Sequence, residues 1–294
     1  MSNVLDFSTL TNNRENIFMK IYEFGDKNKP SIMLFPGTCC YWKTNFGHVL
    51  DGLQEHFHTL VVSYSGFDDT ENSTFISELD EVLKVENYIK DKLDGKLFAA
   101  YGCSLGGSFV SLLIGRQNIH IDHGIIGSSD MDQAPKWLAK LETAIMMPMF
   151  YPFITGKESG LIKKVFEKKM NEGNDSSEYM KKFMEIMGKG SGIDFSFISK
   201  ESMKNQFCTD LYTSVGEHIN VPGTTIHVFY AKKMGEKYLE RYRKCFADPD
   251  ICEFDLQHEE LLLDANRLSR LLKQITPLEA FFSNRQMSRM QGQP

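Results

Sequence analysis

The sequence predicts an α/β fold: a mostly parallel central sheet flanked by helices, with a helical lid inserted before the last strands. Three observations carry that expectation. Short, nearly unbroken apolar runs alternate with stretches of helical periodicity through the first third of the chain. Glycine-containing turns close several of those runs. The alternation stops over residues 131–221 and resumes beyond them.

Taken in order, residues 18–22 read as an early strand and residues 25–30 as a turn. Ser31–Phe35 is the apolar run expected of a strand covered on both faces, and it stops at Pro36-Gly37-Thr38. A short helical stretch over residues 45–53 leads to a strand at 59–64, which ends in Ser65-Gly66-Phe67-Asp68. Between residues 73 and 93, Phe75, Leu79, Val82, Leu83, Tyr88, Ile89 and Leu93 recur near helical spacing. Ser73 or Thr74 is the expected cap of that helix and Gly95 its stop.

Residues 97–101 form the next strand, 109–114 a buried helix and 121–127 a further strand. After the insertion come strands at 225–230 and 251–256, then an amphipathic helix carrying Leu261, Leu262, Ala265, Leu268, Leu271, Leu272 and Ile275. The expected division is a first core part at 1–130, the lid at 131–221, a second core part at 222–282 and a polar, frayed tail at 283–294.

Composition narrows the function classes. Of 294 residues, 41% are hydrophobic and 24% charged, as in an ordinary globular protein. A net charge of −6 and a pI near 5.8 give no electrostatic footprint for nucleic acid. No run approaches the roughly 18 apolar residues of a membrane span, and the start lacks a basic segment followed by an apolar one. A cytoplasmic protein without stable membrane insertion is expected. The six cysteines have no metal-ligand spacing and read as reduced and mostly buried. No metal constellation or dinucleotide fingerprint is present, so no metal and no cofactor is implied.

One motif carries chemistry. Gly102-Cys103-Ser104-Leu105-Gly106 matches G-x-S-x-G and lies between a buried strand and an apolar helix. Glycines on both sides allow a turn too sharp for bulky side chains, and the turn lifts the Ser104 hydroxyl above the sheet edge. Cys103 is one residue off the nucleophile position and reads as buried filler.

On these residues the chain resembles the α/β-hydrolases. Phe35-Pro36-Gly37-Thr38 is similar to the family's oxyanion loop, Ser65-Gly66-Phe67-Asp68 to its turn after a core strand, and Gly102 to Gly106 to its nucleophile elbow. The resemblance implies a triad in the chain order Ser, Asp or Glu, His. Ser104 is then the nucleophile, and the Thr38 and Leu105 N–H groups are the oxyanion donors. The base is His258, which alone among eight histidines falls after the last strand and before the terminal helix. The acid is expected at Glu236, because the family's usual turn reads Gly235-Glu236-Lys237-Tyr238 here, with tyrosine where the acid commonly stands. Asp130 and Asp132 are its rivals.

Cys39, Met146, Met149 and Phe150 are the expected substrate-binding residues. The implied activity is hydrolysis of a carboxylic ester, thioester or amide of a small to medium lipophilic acyl substrate, that small molecule being the expected partner. The alternative is a non-catalytic ligand receptor on the same fold.

Overall fold

The computed structural model describes residues 19–131, 133–157, 160, 164, 175–188 and 191–276. Among them one sheet of seven strands holds the molecule together: β1 (Lys20–Phe24), β2 (Ser31–Phe35), β3 (His58–Ser63), β4 (Lys96–Cys103), β5 (His120–Gly127), β6 (Thr225–Ala231) and β7 (Asp250–Phe254). Their order is β1-β3-β2-β4-β5-β6-β7. Only β1 runs antiparallel to its neighbour; every other pairing is parallel. The central strands β2, β3 and β4 are buried almost throughout, which is why they read as unbroken apolar runs. Edge strands β1 and β7 are only part-covered.

Helices fill the connections: α1 (Trp42–Phe46), α2 (Leu50–Gln54), α3 (Glu78–Lys92), α4 (Leu105–Arg116), α5 (Lys136–Ile154), α6 (Asp175–Ile186), α7 (Lys200–Tyr212), α8 (Glu236–Cys245) and α9 (Ala265–Ile275). Helix α4 packs on β2, β4 and β5 and buries ten of its twelve residues, so it shows no polar face. The chain between β5 and β6 supplies α5, α6 and α7, with no strand among its described residues. Among the described residues, no helix is long and apolar enough to cross a membrane.

Three of the differences from the sequence reading have a contact or register behind them. The first strand is β1 at Lys20–Phe24, set by its register from Lys20 opposite Ser63 to Phe24 opposite Thr59; Phe18 lies outside the described residues. Helix α3 begins later than Ser73 or Thr74. Phe75 is fully buried in irregular backbone, its N–H and C=O taken by Ser202 and Asn205, so tertiary contacts hold this segment out of the helix. Ser77 is the cap instead, extended at φ −163°, its side chain accepting the Asp80 N–H at 3.2 Å. Leu261 and Leu262 lie in a 3₁₀ turn ahead of α9. Gly95 does end its helix, at φ +73° with its N–H on Ile89 O at 3.0 Å. The expected tail at 283–294 is outside the described residues.

This strand order creates a crevice. The chain leaves β2 toward β3 on one side, returns across β2 to β4, then continues to β5 on the other side. The loops that follow β2 and β4 therefore diverge at the carboxyl ends of adjacent strands, where ligands bind in open α/β sheets. The two strands pair from Ile32 opposite Ala99 to Phe35 opposite Gly102, so Pro36-Gly37-Thr38 and Ser104 emerge side by side.

The contact is close enough to be tested. A Cβ on Gly106 would lie 2.0 Å from Phe35 O, and one on Gly102 would lie 2.0 Å from Gly106 O. Backbone cannot yield as a flexible side chain can. Gly106→Ala is expected to cost about 3 kcal/mol or more, read as a lower urea midpoint at unchanged slope; an unchanged midpoint would contradict the packing described.

Candidate active site

Ser104 sits at the junction of β4 and α4 with φ +50° and ψ −123°. Few residues with a side chain adopt that backbone, and holding it costs on the order of 1–3 kcal/mol. Two hydrogen bonds fix it: Ser104 N–H donates to Gly127 O at 3.0 Å, and Gly107 N–H donates to Ser104 O at 2.9 Å. The Leu105 N–H heads the first turn of α4 and has no acceptor among the described residues. Cys103, 1% exposed, has its thiol pushed well up by burial and offers no thiolate.

Across the crevice, the loop after β2 comes within 3.6 Å of Ser104 Cβ, measured from the position a Cβ on Gly37 would take. Its amides are largely committed. Gly37 N–H donates to Asn45 Oδ1 at 3.3 Å, Cys39 N–H to Gln206 Oε1 at 2.6 Å and Cys40 N–H to Gly37 O at 3.2 Å. The Thr38 N–H is left without an acceptor among the described residues, and the Thr38 hydroxyl donates to Asp210 Oδ2 at 2.6 Å.

A cavity of about 270 Å³ opens over this serine. Its polar lining is Thr38, Ser104, Asp130, Asp210, His258 and Glu259, with Cys40 beside them. The rest is apolar and comes from the insertion: Phe150, Phe153 and Ile154 from α5, Phe183 and Met184 from α6 with Met187 just beyond it, and Phe207 and Leu211 from α7. Among the described residues no lysine or arginine lines it.

The structure thus brings Ser104, Thr38, His258 and Phe150 to one cavity. His258 arrives on the loop after β7, half-buried, with its carbonyl accepting the Tyr179 hydroxyl at 2.7 Å. Among the described residues no hydrogen bond joins Ser104 Oγ to the His258 ring; such contacts are commonly long without substrate.

Other expected residues lie elsewhere. Glu236 is exposed in the first turn of α8 and does not border the cavity, because Gly235 at φ +107° starts the helix there and carries the side chain outward. Asp130 borders it instead. Helix α8 secures the loop after β5 that bears Asp130: Arg241 donates to Asp130 O at 2.7 Å and Tyr242 to Ser129 O at 2.5 Å. Asp132 lies outside the described residues. Cys39 is buried at φ +60°, away from the cavity, and its neighbour Cys40 lines it. Met149 is 41% exposed on the far side of α5, and Met146, one turn before Phe150, does not reach the cavity.

Glu259 is a lining residue that sequence reasoning missed. It follows His258 at φ +58° and is 3% exposed, while Glu260 stays part-covered and accepts the Gln257 N–H at 2.6 Å. Its Oε1 sits 2.7 Å from where a Cβ on Gly37 would be, so the glycine makes room for the carboxyl. Burial raises the Glu259 pKa above its usual range, as does Asp130; the nearby His258 and a hydrogen bond with Cys103 act against this. Nothing in Gln257-His258-Glu259-Glu260 signals which glutamate turns inward.

No family model matches this chain, and no curated protein matches it in sequence. Its fold is nevertheless shared. A protein from Desulfitobacterium hafniense, described as of the alpha/beta hydrolase family, superposes with a TM-score of 0.68 at 18% identity, over 87% of this chain and 99% of that one. A lipase-esterase related protein from Clostridium acetobutylicum does so at 0.62 and 14% identity, over 87% and 99%. A 1H-3-hydroxy-4-oxoquinoline 2,4-dioxygenase does so at 0.60 and 13%, over 87% and 95%. The chain has the α/β-hydrolase fold. At these identities the likeness defines architecture, and the third structure shows the same frame carrying different chemistry.

The sign of the Glu259 shift sets a pH dependence. A raised folded pKa means that the native state keeps a proton the unfolded state releases, so this residue's contribution to stability is lost as pH rises from about 4.5 through the folded value. Glu259→Gln cannot lose that proton. Its stability relative to wild type should therefore climb between pH 4.5 and 8 in urea titrations; a gap independent of pH would show that the carboxyl is not held protonated.

Proposed function

We propose that the protein is a serine hydrolase that transfers an acyl group from an ester, thioester or amide to water through Ser104. The observation that carries this reading is the pairing of a strained, glycine-flanked serine with a histidine from the far end of the chain at one small cavity. In this reading His258 takes the Ser104 proton during attack and returns it to the leaving group. Thr38 and Leu105 N–H stabilise the oxyanion. Asp130, in place of Glu236, orients the imidazole.

The substrate follows from the lining. About 270 Å³ is at or below the low end of ligand pockets, roughly 300–1,000 Å³. Phenylalanine, methionine and leucine walls suit a small to medium lipophilic acyl group, and Asp130 and Asp210 repel an anionic one. Helices α5, α6 and α7 act as the lid that closes the acyl site from water. A catalytically silent receptor is the second reading, favoured by the absence, among the described residues, of a Ser104–His258 hydrogen bond.

A fluorophosphonate probe separates the two. Hydrolase chemistry gives covalent labelling of folded protein at Ser104, lost in Ser104→Ala; a folded wild type that stays unlabelled supports the receptor. On p-nitrophenyl esters, Ser104→Ala and His258→Ala should each lower kcat by roughly 10⁶-fold. Asp130→Asn should cost roughly 10⁴-fold and Glu236→Gln less than about twofold. The reverse order for the two acids would return the role to Glu236.

A further inference from the structure

Helix α7 buries a polar face. Ser202 and Gln206 are 0% exposed and Thr209 4%. Buried amides and hydroxyls persist where hydrogen bonds satisfy them, so each calls for a partner. Thr209 bonds back to Asn205 O and Gln206 O of its own helix, while other polar side chains of α7 reach two loops of the core. Ser202 Oγ accepts the Phe75 N–H at 3.2 Å, and Asn205 Nδ2 donates to Phe75 O at 3.0 Å. Toward the other end of the helix, Gln206 Oε1 accepts the Cys39 N–H and Asp210 Oδ2 accepts the Thr38 hydroxyl, both at 2.6 Å. Gln206 and Asp210 are four residues apart and so share one side of α7.

What they grip is the strained part of the loop. Cys39 lies at φ +60°, a conformation that a cysteine holds only where its surroundings impose it. With Gly37 N–H on Asn45, Cys40 N–H on Gly37 O and Cys39 N–H on Gln206, the Thr38 N–H is the amide of this turn left without an acceptor among the described residues. Without the Gln206 oxygen, a buried Cys39 N–H would be orphaned, and the turn would rotate to satisfy it.

We infer that Gln206 is a positioning residue for acyl transfer, holding the Cys39 amide from the inserted helix and thereby setting the Thr38 N–H as an oxyanion donor, with Asp210 as a second clamp on Thr38. This rests on the acyl-transfer reading above and deepens it. The core strands supply the nucleophile, and the oxyanion site is complete only while α7 is docked. A helix that merely covered the substrate would alter binding; one that sets the oxyanion donor alters the rate.

The test compares Gln206→Met, which keeps the shape and loses the acceptor, with Gln206→Glu, which keeps an acceptor oxygen at the same reach. With p-nitrophenyl butyrate, Gln206→Met should lower kcat about 100-fold while KM moves less than about threefold. Gln206→Glu should recover kcat to within about tenfold of wild type. A folded Gln206→Met with wild-type kcat, a loss confined to KM, or no recovery in Gln206→Glu would each overturn the inference. Should Gln206→Met fail to fold, amide exchange of the wild type decides: Cys39 N–H protected as strongly as β4 amides supports the clamp, and exchange at the rate of open loops refutes it. Absence of fluorophosphonate labelling in wild type would instead retire the hydrolase reading, with Cys39 protection still judging the clamp.

Discussion

Everything at the cavity follows from the close approach of two backbones. Gly106 touches the carbonyl of Phe35, and Gly102 touches that of Gly106, so β2, β4 and the start of α4 pack with no room for a methyl group between them. That contact forces the chain to reverse within one residue, and Ser104 takes the positive φ that the reversal requires. The strain, of order 1–3 kcal/mol, is offset by the buried strands on either side. Because the serine is fixed by backbone contacts, its position does not depend on what fills the cavity.

The second consequence is electrostatic. At the switch between β2 and β4 the chain departs in opposite directions, and the N–H groups of Thr38 and Leu105, which have no acceptor among the described residues, are left near one serine. Acidic side chains gather around them without a lysine or arginine among the described lining residues. Burial, with Asp130 nearby, pushes the Glu259 pKa up, against the pull of His258. Asp210 is held by the Thr38 hydroxyl, and the main chain at Asp130 is anchored by Arg241. An apolar wall on the opposite side then sets the kind of molecule that fits.

Much of this architecture was legible in the sequence, and the reasons are physical. Apolar runs such as Ser31–Phe35 mark strands buried on both faces, and Gly102 to Gly106 marks a turn that only glycines permit. What escaped depends on contacts distant in the chain. Phe75 has helical spacing, yet Ser202 and Asn205 draw it out of the helix from 127 and 130 residues away. Glu236 occupies the expected turn, but the loop after β5 brings Asp130 to the cavity, and α8 secures it through Arg241 and Tyr242. Cys39 and Cys40 cannot be told apart by composition; Cys39, at positive φ, is buried with its backbone N–H on Gln206, while Cys40 lines the cavity. The polar inner face of α7 gives no amphipathic stripe, so its buried side could not be read from periodicity.

The central claim is that the strained serine forms a covalent bond with the substrate's acyl group. Acid-quenching the protein during incubation with a p-nitrophenyl ester and weighing the intact protein and its Ser104 peptide tests it most directly. The account predicts one added acyl mass per chain, carried by the Ser104 peptide and formed with a burst of about one equivalent of nitrophenol. Steady release of nitrophenol with no acyl mass, or with the mass on a different residue, would contradict it.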